Sequence, residues 1–403
     1  MTLNFFMYAS PEWLKLYNEL LIPAFEKANP GIKIRMTISL GDAGYDAKLL
    51  TLIAGGLPPD VFHVTQNNFP FYAAKDVILP VDDYVRDDKS FALDSLYARV
   101  VDGMRVNGKL LGLPSDFSTI VMLYNVDLLR KSGVALPRAN WTWSDYLSAC
   151  ETVTRSGGLS NDARIYGTTN PIAYNRWPAW VWMNGGEVFS PDVKRCLLDS
   201  PAAIEAMEFY VGLSRTRHIA PAPTATPDID QVKQQEMFVS GRVGMIAESR
   251  YVYKKFLRNG TLDFELDAAP MPRGKTQATT FIWGGNCILK GTKHPREAWK
   301  FLKFIAGPEG AKVNRIGGNA LPENRALAEE EMAHPSFPHV PKHDRCFIDA
   351  IEYARIAPYP EQYAEVTQAM SGLQAAFRGT TSVADACRKV TAQVNDVLGG
   401  SVF

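Results

Sequence analysis

The opening of the chain alternates strand-like and helix-like segments, and this alternation limits the fold more than any other feature. Leu3 to Tyr8 is nearly all apolar, as a strand covered on both faces of a parallel sheet must be. Ser10-Pro11-Glu12 follows, with serine suited to cap a helix and proline to its first turn. That helix runs to about Asn29 and stops at Pro30-Gly31, with Leu16, Leu20, Pro23-Ala24 and Phe25 on one face. Ile32 to Leu40 reads as a second strand, Gly41-Asp42-Ala43-Gly44 as a turn and Tyr45 to Ala54 as a helix. Val61 to Val64 reads as a third strand ending in Gln66-Asn67-Asn68. Strand–helix repetition of this kind builds a parallel α/β sheet. Ligands of such sheets bind beyond the carboxyl ends of the strands. That rule gathers Tyr8 to Trp13, Asp42, Gln66, Asn67 and Asn68 around one crevice.

A chain of 403 residues is long enough for more than one core. Its 43 basic and 43 acidic residues leave no net charge. Phosphate backbones attract a basic excess, so nucleic acid is not the expected partner. No apolar run is long enough to span a bilayer. The five cysteines, Cys150, Cys196, Cys287, Cys346 and Cys387, have neither paired nor zinc-like spacing. They read as buried thiols, with one disulfide open to them in an oxidising compartment.

Asn107 to Lys131 sets the middle of the chain. Asn107-Gly108 is a tight-turn pair. Lys109 to Leu113 is a short apolar run stopped by Pro114. Ser115 to Ser118 is a polar crossing segment, and Ile120 to Tyr124 is a strand. Asn125 or Asp127 then caps a helix beginning at Leu128. Helices follow at Trp143 to Arg155, Tyr174 to Asn184, Pro201 to Thr216 and Asp230 to Ser240, then a buried strand at Gly244 to Ile246. Phe264 to Pro272 crosses back, and Asn319 to Arg325 makes a third crossing. Arg296 to Ala306, Phe347 to Arg355, Tyr363 to Phe377 and Val383 to Leu398 are further helices.

No phosphate loop, HExxH or GxSxG is present. His334, His339, His343 and Asp344 fall in a proline-broken run without metal spacing, which reads as a solvated loop. No metal and no catalytic set is expected. Flat aromatic faces and neutral or acidic polar groups, the two things a pyranose ring with its hydroxyls requires, are both present. Trp13, Trp177, Trp180, Trp283 and Tyr251 supply faces. Asp42, Gln66, Asn67, Asn68, Asp116, Glu248, Arg250 and Asn286 supply hydrogen bonds, and Gly284-Gly285 lets backbone N–H groups come close. Asp116 and Glu248 could also be the acid–base pair of a glycosidase.

The run GKLLGLPSDFSTIVMLYNVDLLRKSGV followed by NWTWSDYLSACETVT resembles the crossover segment of bacterial extracellular solute-binding proteins, the sugar-binding kind that serve ABC importers. NPGIKIRM, YDAKLLTLIAGGLPPDVF, WPAWVWMNGGEVF, EMFVSGRVGMIAES, APMPRG and HPREAWKFLKFIAGPEGAKV match in the same order. The resemblance implies a periplasmic-binding-protein type II-like fold, with two α/β lobes, a ligand cleft between them and hinge bending. Its lobes would be residues 1–114 with 268–320, and 115–267 with 321–403. It favours hydroxyl binding over hydrolysis for Asp116 and Glu248. It also implies a monomer without a cofactor that passes a di- or oligosaccharide to membrane permease subunits; a neutral sugar is expected because the cleft loops offer only Arg250 and Arg355 as cations, where an anion would need a cluster. Location would be the periplasm, or outside the membrane on a lipid anchor, with a secretory signal removed. The alternative is a cytoplasmic protein with its natural start. Gln66-Asn67-Asn68 replaces a charged pair of the maltose-binding relatives, so the sugar should differ.

Overall fold

The computed structural model describes residues 1–40, 44–157, 164–223, 227–258, 262–317, 320–336 and 340–400. Its strands are β1 (Thr2–Ala9), β2 (Lys33–Leu40), β3 (Val61–Thr65), β4 (Arg105–Val106) and β5 (Lys109–Leu110). They continue with β6 (Leu113–Asn125), β7 (Met245–Ser249), β8 (Leu266–Ala269), β9 (Thr279–Ile288) and β10 (Ala354–Ile356). The chain forms two compact units. Unit 1 is Met1–Ser118 with Ile282–Ser336, and unit 2 is Thr119–Phe281 with Phe337–Phe403.

In unit 1, β2, β1 and β3 are parallel, and β9 lies antiparallel to β3 with Val61 opposite Ile288 and Thr65 opposite Gly284. Apolar β1 residues meet the Pro295–Ile305 helix: Phe301 lies 5.2 Å from Phe5 and 4.9 Å from Phe25, edge-on to both. The first helix is interrupted. Pro11–Leu16 and Ile22–Ala28 are α-helical, and Tyr17–Leu21 between them is a π-helical turn. There the Ile22 N–H reaches the Tyr17 carbonyl, five residues back. Pro23 has no N–H to continue an α ladder, which favours the wider turn. The β4–β5 hairpin turns through Asn107 and Gly108 at φ 50° and 79°. Positive φ at both positions is the geometry for which Asn-Gly is selected.

In unit 2, β6 is flanked by β7 and β8, both antiparallel to it, and β10 runs parallel to the first residues of β9. Asn125 caps the Val126–Lys131 helix by accepting from Leu128 N–H at 2.8 Å. Thr142 and Asp145 form a reciprocal capping box on Trp143–Ser156.

Several expectations differ from the structure. Leu113 to Asn125 is one strand of 13 residues, without a separate polar crossing. Pro114 is tolerated because it stands near the strand's start, where a missing ladder donor costs least. The units divide at residues 118/119, 281/282 and 336/337, where the sequence placed 114/115, 267/268 and 320/321. Phe264 to Pro272 stays within unit 2, because β8 pairs with β6 there. The second passage is β9 itself. Within the Asn319 to Arg325 segment, Asn319 lies outside the described residues, and the third passage falls after Ser336. The Phe347 to Arg355 segment is not one helix. It is a short α-helix at Cys346–Asp349, a 3-10 turn at Ala350–Glu352, and then β10. Only Pro178–Met183 of the Tyr174 to Asn184 segment is helical.

Candidate functional site

In unit 1 the relevant residues gather where β1 and β3 end, β9 enters and β6 leaves. Trp13 is half-buried in the first turn of its helix, where its amide donates to the Ser10 hydroxyl, and its ring lies 5.9 Å from Tyr17. Gln66 is buried and binds backbone: its side-chain oxygen accepts from Trp283 N–H at 3.1 Å, and its own N–H donates to Trp283 O. Asn68 accepts from Thr65 N–H at 2.9 Å and donates to Asp46, which also accepts from the Tyr72 hydroxyl. Asn67 and Asp116 are half-buried. Asp42 lies outside the described residues.

Gly284 and Gly285 are strand residues of β9, and protein neighbours explain them. A Cβ on Gly284 would lie 3.1 Å from both Asp116 Oδ1 and His63 Cε1. One on Gly285 would lie 2.8 Å from Leu113 O. The absence of side chains therefore brings Asp116 and His63 close together. Burial pushes the His63 imidazole down to about 4, so it is neutral at physiological pH; a hydrogen bond with buried Asn286 opposes the shift. Trp283 is 3% exposed, lies edge-on to Phe69 at 5.4 Å, and presses against Gly103. Glu323, which no motif marks in the sequence, is fully buried, and neither of its carboxyl oxygens has a hydrogen-bond partner. Burial, and then Asp116, hold its carboxyl well above the usual range.

In unit 2 the corresponding end is where β6 enters and β9 leaves. Trp180 is 1% exposed and sits among Trp143, Tyr146, Phe209 and Tyr210, with ring centroids 5.4–5.6 Å away. Trp177 is equally buried and meets Tyr174 edge-on at 5.4 Å. Glu248 is tied on both oxygens: Arg176 Nη2 and Ser249 N–H donate to Oε2 at 2.6 and 3.2 Å, and Gln235 donates to Oε1 at 2.8 Å. Arg250 is buried against Asp344 at 2.8 Å, and the Tyr253 hydroxyl donates to the same carboxylate. Asp344 is thus a buried counter-ion and not part of a solvated loop, while His339 lies outside the described residues. Tyr251 is half-buried. Arg355 pairs with Glu187 at 2.7 Å and lies over the Trp182 ring at 4.8 Å.

Asp116 and Glu248, the pair of the hydrolase alternative, belong to different units. Arg176, His63 and Glu323 were missed. Arg176 had a signal in its place before Trp177; the other two had none, since a lone histidine in a strand and a glutamate after a proline are unremarkable.

The sequence model of the family described as bacterial extracellular solute-binding protein matches residues 10–312, and the chain belongs to that family. A putative binding protein of Brucella abortus is 25% identical over 371 residues, covering 90% of this chain and 85% of that protein. An arabinooligosaccharide-binding protein of Bacillus subtilis is 23% identical, covering 72% of this chain and 66% of its own. An ABC substrate-binding protein from Listeria monocytogenes, solved in complex with cycloalternan, superposes with a TM-score of 0.84 at 25% identity, covering 99% of both chains. The sugar-binding protein MalE of Xanthomonas citri gives a TM-score of 0.83 at 21% identity, over 100% of this chain and 98% of that one. The fold is that of MalE-like type II periplasmic binding proteins. Proteins of this family act outside the cytoplasm. Among the described residues no helix is long and apolar enough to cross a membrane.

Proposed function

We propose that this protein captures a neutral di- or oligosaccharide in the periplasm, or on a lipid anchor outside the membrane, and delivers it as a monomer to the permease subunits of an ABC importer. The observation that carries the charge of the ligand is the pairing of three arginines in unit 2: Arg176 with Glu248, Arg250 with Asp344 and Arg355 with Glu187. Recognition of an anion by arginine needs donors whose charge is not already compensated. In unit 1 the half-buried candidates are an indole, two amides and a carboxylate, at Trp13, Asn67, Asn68 and Asp116. An aromatic face beside hydroxyl-binding groups suits a sugar ring. The partly covered side chains Trp13, Asn67, Asn68, Asp116 and Tyr251 are the contacts proposed first.

Thermal-shift screening of neutral and acidic mono- and oligosaccharides, followed by calorimetry, tests the reading. A neutral oligosaccharide should raise the melting temperature, and its affinity should change little between low and high salt. A preference for uronic acids, with affinity falling steeply as salt is added, would overturn the neutral assignment. Release of shorter sugars during incubation would favour the hydrolase instead.

A further inference from the structure

Arg176 stands directly before the first turn of the Pro178–Met183 helix and is 3% exposed. A buried guanidinium normally has its donors satisfied, because its N–H groups have lost water. Here one nitrogen is satisfied: Nη2 donates to Glu248 Oε2. Nε and Nη1 are buried with no hydrogen-bond partner. Glu248 also accepts from Gln235 on Oε1 and from Ser249 N–H on Oε2.

Two orphaned acceptors belong to the same unit. Asn175, the preceding residue, has a buried Oδ1 without a partner. Asn170 is held by its amide, Nδ2 donating to Tyr210 O and Ser214 Oγ at 3.0 Å, and its Oδ1 is also buried and unpartnered. Tyr210 links these groups electrostatically, its phenol feeling first its own burial, then Arg176 and Glu248. An anion would use the donors and leave the acceptors unmet. A hydroxyl donates and accepts, and so answers both.

We propose that Arg176 is a ligand-binding residue of unit 2, giving the two guanidinium nitrogens that Glu248 leaves unpaired to hydroxyl and ring oxygens of an uncharged sugar, with Asn170 and Asn175 accepting from its hydroxyls. Glu248 is then a positioning residue. It fixes the guanidinium and cancels its charge, so that the site offers directed donors without a net positive field. This assignment rests on the carbohydrate reading above and adds to it the group that sets its selectivity.

The test uses the full chain and calorimetry with maltotriose, an arabino-oligosaccharide and cycloalternan. Arg176→Gln with Glu248→Gln removes both charges together, so neither charge is left buried without its partner. Its melting temperature should stay near wild type while affinity for the sugar bound by wild type falls at least about tenfold. Arg176→Lys, which keeps the charge but loses the fork of donors, should fall in the same direction with its melting temperature monitored alongside. Wild-type affinity in a folded double variant or in folded Arg176→Lys would overturn the assignment while leaving the carbohydrate reading intact. Failure of wild type to bind any of the three sugars would remove both.

Discussion

Replacing Trp283 by alanine separates packing from binding at a residue that a sequence reading assigns to a sugar. The indole is 3% exposed, meets Phe69 edge-on at 5.4 Å, and leaves no room for a Cβ at Gly103, which would lie 2.8 Å from its Nε1. Truncating a buried tryptophan to alanine costs about 3–5 kcal/mol, the transfer of its ring and the cavity left behind. For a folding unit of this size each kcal/mol lowers the melting temperature by about 2–4 °C, so the fall should be roughly 6–20 °C. Differential scanning calorimetry of the ligand-free protein reads it directly. Trp283→Phe should recover much of the loss, because it keeps the ring contact with Phe69 and removes an N–H that has no partner. Gly103→Ala should act on the same contact from the other side, costing about 1–3 kcal/mol by overpacking. Unchanged melting for Trp283→Ala, together with a roughly thirtyfold loss of sugar affinity, would refute the packing argument and return the indole to the ligand.

Other outcomes follow from the buried charges and caps. Glu323 holds its proton in the folded protein at pH values where the unfolded chain, with an ordinary carboxyl near 4.5, has released it. Stability should therefore fall as pH rises from about 4.5 toward the raised folded value. Glu323→Gln should flatten that slope in urea midpoints taken across the range, and an unchanged slope would count against the buried neutral acid. Asp344→Asn removes the carboxylate charge that Arg250 Nη2 meets at 2.8 Å in a buried pair and should cost about 3–5 kcal/mol in chemical denaturation, whereas a loss below about 1 kcal/mol would show the pair to be solvated. Thr142→Ala removes one half of the capping box and should cost about 1 kcal/mol, with sugar affinity unchanged in calorimetry.

The elements most legible in the sequence are those whose period and punctuation agree. β1, the Tyr45–Ala54 helix and the Asn107-Gly108 hairpin each have a pattern and a stop signal that point the same way. Pro114 misled because proline argues against a strand interior, and nothing local reveals that it stands one residue from the strand's start. The Phe264 to Pro272 segment looked like a crossing because it is short and proline-ended. Its true role depends on β6 offering a free edge, a fact of pairing and not of composition. The candidate site was legible as residue types and much less as roles. Three tryptophans close together read equally well as stacking faces or as core, and it took Phe209 and Tyr210, distant in sequence, to surround Trp180. Glu248 was found as a carboxylate, but Arg176, the cation that holds it, became visible only through their contact.

The π-helical turn at Tyr17–Leu21 has an evolutionary corollary. Such a turn is equivalent to one residue inserted into an α-helix, and one residue corresponds to about 100° of rotation. The half that follows is anchored through Phe25 against Phe301 and Phe304, while the half before it holds Trp13. Loss of a single residue from this turn would swing Trp13 around the helix axis and leave Phe25 seated. A lineage could thereby redirect one aromatic side chain by a length change instead of a substitution, and sequence alignments of its descendants would record the event as a one-position gap between Tyr17 and Ile22.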